Sequence, residues 1–385
     1  MHTPFDMNLV QRGARLRRSP FFEATQRWGA KAYTVYNHML FPICFGDLEE
    51  EYWSLVNDVT LWDVSVERQV EITGPDAFAF TNFLTPRELS RCAVGQCKYV
   101  VITGEDGGII NDPVLLRLGE NHFWLALADS DVLLWARGVA LATGMKVTIT
   151  EPDVSPLQVQ GPKARQVVQA LFGDQVTQLQ YYWFLDTTLD GIPVVVTRTG
   201  WTGEIGYEIY LRDGSRGDEL WERIMEAGKP HNIRPTGPSD IRRIEAGILN
   251  WGADITLETN PYEVGLERLV DERKAVEYVG KKALARIRAE GAKRKLVGVE
   301  IAGERIEFNA TKWPVSSAGR PVGHITSAIY SPRLKKNIGY AMVPIEHAAL
   351  GTRLTVSIPG SGEREAVVVE RPFVDQNKEI PKGNR

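Results

Sequence analysis

The sequence predicts an α+β chain: one strand–helix–strands–helix unit used twice, followed by a small all-β barrel or sandwich. Three observations carry this. Strand-like alternation over Gln69-Val70-Glu71-Ile72-Thr73 stops at Gly74-Pro75 and gives way to an apolar-periodic helix, Ala77 to Leu84. The same order recurs 87 residues on, with alternation over Leu157-Gln158-Val159-Gln160, then Gly161-Pro162, then a helix from Ala164 to Leu171. From Leu296 to Phe373 the pattern changes to short strands between turns.

Each element has a local reason. Glycine allows the sharp turn in both Gly-Pro pairs, and proline suits a first helical turn, where its missing N–H is no loss. After the first pair come Tyr99 to Ile102, the turn Gly104 to Gly108, and strands Ile109 to Leu118 and Phe123 to Ala128. A helix follows from Asp131 to Ala142, which Asp129-Ser130 can cap. After the second pair come Thr188, the turn Asp190-Gly191, Pro193 to Thr197, the strand Tyr207 to Leu211 and the helix Gly217 to Ala227. Residues 238–290 read as helical, with Pro238 opening Asp240 to Glu245 and Gly280 opening a helix that ends near Gly291. Strands are expected at Leu296 to Ile301, Gly323 to Ser327, Ile338 to Val343, Leu354 to Ile358 and Ala366 to Val369. The expected units are 1–65 with 151–290, then 66–150, then a barrel over 291–375. Residues 376–385 are polar and read as a flexible, frayed tail.

Composition narrows the function. The 385 residues suit two or three domains, and 43% hydrophobic with 24% charged residues is ordinary for a globular chain rather than a disordered one. A net charge of −4 gives no basic footprint for nucleic acid. The three cysteines, Cys44, Cys92 and Cys97, cannot all pair and read as reduced thiols of a cytoplasmic protein. No apolar run is long enough for a membrane helix. Arg12, Arg15, Arg17 and Arg18 against the single early acid Asp6 could form a transit peptide, but no amphipathic Ser-rich run follows.

Common catalytic motifs are missing: no phosphate-binding GxxxxGK[ST], HExxH, CxxC or GxSxG occurs. Cys92 and Cys97 have no histidine pair nearby, so no metal is expected. His38 stands alone and reads as a hydrogen-bonded structural residue. The aromatics are more informative. Tyr181-Tyr182-Trp183-Phe184 forms a dense patch, and Trp201 sits in the glycine-rich turn Arg198 to Glu204, where a flat side chain can stack on a ligand. Three acids, Asp112, Glu208 and Asp254, stand at strand mouths or after turns, where a carboxylate either caps the turn or binds a polar ligand.

Four segments together carry a resemblance: Gly107-Gly108-Ile109-Ile110-Asn111-Asp112, Arg198 to Ile209, Arg243-Ile244-Glu245-Ala246-Gly247, and Asn260 to Leu266. They resemble the folate-dependent aminomethyltransferase family, whose founding member is the glycine-cleavage T-protein. The likeness runs through nearly the whole chain. It implies a three-domain clover leaf with tetrahydrofolate in the central channel, held by the unit 1–65 with 151–290. Segments such as Tyr33 to Leu40, Trp62 to Val70 and Glu151 to Leu157 are similar to the branch of this family that demethylates dimethylsulfoniopropionate. Departures from the T-protein pattern agree: Val64-Ser65-Val66-Glu67, Asn111 before Asp112 and Ser239 before Asp240 stand where the T-protein carries other residues.

The resemblance implies roles. Asp112 matches the catalytic, folate-contacting acid, Glu208 the glutamate that pairs with the pterin, and Tyr99 a ring-flanking tyrosine. Trp201 stands where the T-protein has a tyrosine. Tyr210 and Trp183 resemble substrate-side aromatics, Tyr210 reaching the folate as well. Arg18, with Arg68 behind it, is the expected partner of the substrate carboxylate. The implied partners are small molecules, a sulfonium substrate and folate, and the chain is expected as monomer or homodimer. Demethylation of a betaine or methoxy-aromatic, aminomethyl transfer from a lipoyl carrier, and folate binding without turnover stay open.

Overall fold

The computed structural model describes residues 15–383 and builds two sheets and a closed barrel around a central cavity. The first sheet has five antiparallel strands in the order Thr148–Thr150, Gln69–Thr73, His122–Ala126, Val114–Gly119, Cys97–Tyr99. The second has six, in the order Phe184–Leu189, Ile192–Thr197, Gly206–Leu211, Ser155–Gln160, Thr60–Asp63, Arg234–Pro235, with only the last pair parallel. Helices Ala77–Leu84 and Val132–Thr143 seal one core of the first sheet. Helices Ala164–Phe172 and Gly217–Gly228 seal the matching core of the second. The other faces meet, with Leu116 and Trp124 packing against Val195 and Tyr210. The barrel closes by pairing Arg294–Ile301 with Gly362–Val369.

The repeat has a steric origin. Gly74 and Gly161 hold φ at +117° and +128°. A Cβ would lie 2.7 Å from the Lys146 carbonyl oxygen at the first and 2.6 Å from that of Asp58 at the second. In each, the alanine N–H three residues on donates back to the glycine carbonyl at 3.0 Å. Both prolines sit inside this turn, so each helix begins two residues after its proline.

Several expectations are corrected. The strand read over Ile109 to Leu118 breaks at Pro113, which has no N–H to donate: Ile109–Asn111 pairs with Ile102–Thr103, while Val114–Gly119 joins the large sheet. Asp129 and Ser130 do not cap the following helix. Asp129 accepts from the Asn37 N–H at 2.8 Å, and Ser130 Oγ donates to the Ile110 carbonyl at 2.9 Å. Residues 238–290 hold only the helices Asp240–Glu245, Pro261–Val264 and Lys281–Glu290 and one 3₁₀ turn, and several of their charged residues, Arg242, Arg243, Glu245, Asp254, Glu263 and Lys274, are buried. Pro238 precedes the Ser239 cap rather than opening the helix. The strand Trp313–Ser317, which includes Pro314, completes the barrel and was not expected.

A hairpin near the N-terminal end was not anticipated, and the C-terminal tail differs from expectation. Ala32–Tyr36 and Met39–Cys44 form a hairpin whose turn, Asn37-His38, has both φ values positive, +46° and +62°, as a tight type I′ turn requires. Asn37 Nδ2 pins it to the carbonyls of Val66 and Ala128, at 2.9 and 3.0 Å. Over 376–383 the tail is docked rather than frayed: it forms the helix Glu379–Lys382, and Arg198 Nη2 donates to the Lys382 carbonyl at 2.7 Å. Asp6, Arg12 and the last two residues lie outside the described residues. No helix among the described residues is long and apolar enough to cross a membrane.

The cradles make a prediction. Gly161→Ala forces a Cβ into backbone and should lower stability by about 2–3 kcal/mol. Gly144→Ala, at a helix end with φ +67° and nothing within 4 Å, should cost only about 1 kcal/mol. Urea unfolding of the two variants checks the difference, and equal losses would contradict it.

Candidate active site

The cavity measures about 1040 Å³. Its walls come from every part of the fold: Tyr36 and Phe41 of the hairpin, Glu67, Tyr99 and Asp112 of the first unit, Tyr181, Trp201 and Glu208 of the second, and Phe308 of the barrel region.

The break at Pro113 places Asp112. Tyr99 pairs with Val114 across the sheet, which sets its phenol beside the residue just before the break. Tyr99 OH donates to Asp112 Oδ2 at 2.8 Å. The carboxyl is half-buried, facing the cavity rather than bulk water. This desolvation pushes its pKa up to about 7, against the pull of the tyrosine bond.

Glu208 is built differently. It lies mid-strand, 3% exposed, directly opposite Gln158 on one neighbour and Thr197 on the other. Gln158 Nε2 donates to Oε1 at 2.8 Å, and Thr199 Oγ1 and Tyr210 OH donate to Oε2 at 2.6 and 2.8 Å. Burial raises its pKa while these bonds lower it. Glu67 completes the cluster. Burial, then the charges of Glu208 and Asp112, hold it well above the usual carboxylate range. Gln158 links two of the acids, since its Nε2 also reaches Glu67 Oε1 at 3.4 Å. Among the described residues none of the three acids has a cationic partner within 4 Å. Gln158 Oε1 is buried with no hydrogen-bond partner.

The structure brings together Tyr99, Asp112, Trp201 and Glu208. Trp201 packs on Trp62, Val64 and Leu55, with the Arg243 guanidinium 5.8 Å from its ring centre. Tyr210 is fully buried behind Glu208 and orients it. Trp183 is not among the wall residues. It pairs with Gln96, while Tyr181 and Tyr182 take the wall, because the chain turns at Tyr182 with φ +66°. Arg18 is also away from the cavity: it ion-pairs with Glu23 at 3.1 Å and lies over the Phe22 ring. Arg68 is held by Glu151, which Arg17 also contacts at 2.8 Å. Asp254 is structural, buried against Arg243 at 2.6 Å. His38 is a turn residue.

Sequence reasoning missed Glu67, Gln158 and Tyr36 as wall residues. Glu67 had a signal, since it ends the segment Val64-Ser65-Val66-Glu67 where the chain departs from the T-protein pattern. Gln158 had only a faint one, as one of the polar residues that alternate with Leu157 and Val159 in the central strand.

Comparisons with known proteins follow this geometry. The family model described as the GCVT N-terminal domain matches residues 21–274, and the glycine cleavage T-protein C-terminal barrel domain matches residues 283–375. The chain is 40% identical over 356 residues to dimethylsulfoniopropionate demethylase DmdA of Ruegeria pomeroyi, covering 92% of this chain and 97% of that protein. It is 31% identical over 369 residues to an aminomethyltransferase of Bacillus cytotoxicus, covering 94% and 99%. The crystal structure of the glycine cleavage system aminomethyltransferase T from Bartonella henselae shares the fold, with TM-score 0.84 at 24% identity over 94% of this chain and 98% of that one. The chain therefore belongs to the glycine-cleavage T-protein family of aminomethyltransferase enzymes.

Proposed function

We propose that this enzyme moves one methyl group from dimethylsulfoniopropionate to N5 of tetrahydrofolate, releasing methylmercaptopropionate and 5-methyltetrahydrofolate. The observation that carries the reading is the convergence of Glu67, Glu208 and Asp112, all without cationic partners, on an aromatic-lined cavity. Such a wall attracts a cationic methyl donor. The 40% identity to the Ruegeria demethylase supports the same donor.

The residues also fit a pterin. Glu208 offers a fixed carboxylate to ring N–H donors, and Gln158 leaves an unpaired acceptor in the same wall. Tetrahydrofolate, when bound, supplies the N5 lone pair that accepts the methyl group. Trp201 offers a flat face for stacking, and Tyr36 and Tyr181 can each attract the sulfonium by about 0.5–2 kcal/mol. The methyl–sulfur bond breaks with its electron pair passing to sulfur, which leaves as a neutral thioether. The residues therefore work mainly by alignment. Asp112, with a pKa of about 7, is placed to take the proton that N5 gives up. A second reading, aminomethyl transfer from a lipoyl carrier, draws on the 31% identity to the Bacillus enzyme.

An anaerobic assay with tetrahydrofolate and dimethylsulfoniopropionate, read by mass spectrometry, separates the two. Equal amounts of both products are expected, whereas folate binding without product would sink the donor assignment. Asp112→Asn or Glu208→Ala should each cut turnover by well over about tenfold. Unchanged turnover in folded variants would overturn these roles.

A pH prediction follows from the raised carboxyl of Asp112. A group whose pKa is higher folded than unfolded adds stability that is fully present below about pH 4 and lost as pH rises through about 7. Ligand-free wild type should therefore lose more stability than Asp112→Asn between pH 5 and 8, by on the order of 1–3 kcal/mol. Thermal unfolding at the two pH values measures this, and parallel pH slopes would contradict it.

A further inference from the structure

Beside the central cavity lies a second hollow of about 400 Å³. Arg268 belongs to the walls of both, so the two adjoin at one guanidinium. Arg87, Arg91, Lys98 and Arg273 line the rest of the hollow. Its three acids are engaged with other groups. Glu272 ion-pairs with Arg288 at 2.6 Å, Glu88 accepts from the Ser90 N–H at 2.8 Å, and Asp271 accepts from the Arg273 N–H at 2.9 Å. Among the described residues none of the five cations has a carboxylate within 4 Å.

The hollow is tied to the site already described. Arg87 Nη1 donates to the Tyr99 carbonyl, on the strand that orients Asp112. Arg268 is close enough for its charge to act on Tyr99, Tyr181 and Tyr182 of the cavity wall. Burial and then the charge of Arg268 lower the pKa of Arg87, and burial and then the charge of Arg87 lower that of Lys98. Uncompensated like charges gathered in a concavity work against the ligand-free fold and attract a polyanion.

The chemistry of the anion follows from the ligand of the cavity. A folate ends, opposite its pterin, in a glutamate that can be extended through its γ-carboxyl. Each added residue brings one more carboxylate. We propose that the hollow is a subsite for this γ-glutamyl chain. The pterin lies against Asp112 and Glu208, the first carboxylates pass Arg268, and the later ones lie along Arg87, Lys98, Arg91 and Arg273. The proposal rests on the folate reading of the main cavity, and it makes the extended folate the preferred co-substrate.

The test uses the full-length protein and two probes, 5-methyltetrahydrofolate as monoglutamate and as pentaglutamate, followed by isothermal titration calorimetry. Several exposed ion pairs, each weak, should together make the pentaglutamate bind roughly tenfold tighter at low salt. The gain should shrink as ionic strength rises. The double variant Arg91→Glu/Arg273→Glu alters exposed side chains outside the main cavity, so it should keep the monoglutamate Kd and lose the pentaglutamate gain. Its normal monoglutamate binding also shows that it has folded. Equal Kd values in the wild type, or a gain that survives charge reversal, would overturn the subsite while leaving the folate reading intact. No binding of either probe would overturn both.

Discussion

Two adjacent arginines with no exposed surface hold the cavity in shape. Arg242 Nε meets Glu204 at 2.7 Å, and its Nη2 donates to the Gly203 carbonyl at 3.0 Å, in the turn that carries Trp201. Arg243 meets Asp254 at 2.6 Å and Asp240 at 2.8 Å, and its Nη2 donates to Ser327 of the barrel. Burial opposes the charge on Arg243, but Asp254 and Asp240 more than offset it, so its pKa lies above the ordinary value. Glu245, on the same short helix, accepts from Tyr52 OH at 2.8 Å and from Ser331 Oγ at 2.6 Å. One six-residue helix, Asp240–Glu245, thus bonds to the second sheet, to the barrel and to the helix Leu48–Asn57. Removing one partner of such a buried pair costs about 3–5 kcal/mol, because the other charge is left without compensation. That cost fixes where the barrel stands relative to the sheets, and so fixes the shape of the channel between them.

The contrast with the cavity is one of charge compensation. In the scaffold Arg242 and Arg243 each meet a carboxylate. In the cavity Glu67, Glu208 and Asp112 meet hydroxyls, an amide and one another. Burial and mutual repulsion raise the pKa values of these acids in the ligand-free protein, and a cation bound beside them would favour their charged forms. Dipoles and acids already fixed in place need no rearrangement when charge moves during transfer. The same logic with the sign reversed applies at the hollow around Arg268.

Much of the fold was legible because its constraints are local. A Gly-Pro turn against backbone leaves one residue choice at Gly74 and Gly161, and it marks both repeats. Barrel strands such as Arg353–Ile358 alternate buried and more exposed side chains between turns. The hairpin Ala32–Cys44 was hidden because its turn is Asn37-His38, with no glycine to announce positive φ. The acids show the limit more sharply. Asp112 and Asp254 look alike in sequence, each beside a turn and among apolar neighbours. What separates them is distant: Asp254 takes Arg243 and, 72 residues along the chain, Thr326. Arg18 was misplaced for the same reason. Ser19 is drawn inward to Asp63, which leaves Arg18 on the surface beside Glu23. Trp183 exchanged places with its neighbours because one left-handed residue, Tyr182, shifts which side chains reach the wall.

The two repeats bring one acid each to the same cavity, and each acid is held by a tyrosine at 2.8 Å: Tyr99 on Asp112 and Tyr210 on Glu208. The repeats nevertheless make unlike acids. Glu208 lies within an unbroken central strand, so strand register delivers Gln158 and Thr197 beside it, with Thr199 close behind. Several donors fix both of its oxygens and offset part of the rise that burial imposes on its pKa. Asp112 precedes Pro113, where the strand breaks, so no neighbouring strand supplies a side-chain donor beyond Tyr99. With one such donor and little solvent its pKa comes to about 7, where small changes in surroundings change its proton. Paired acids whose environments differ in this way divide between binding and proton transfer. Ending the strand at Pro113 thus leaves Asp112 with a single side-chain donor and a pKa of about 7, while strand register in the second sheet surrounds Glu208 with donors.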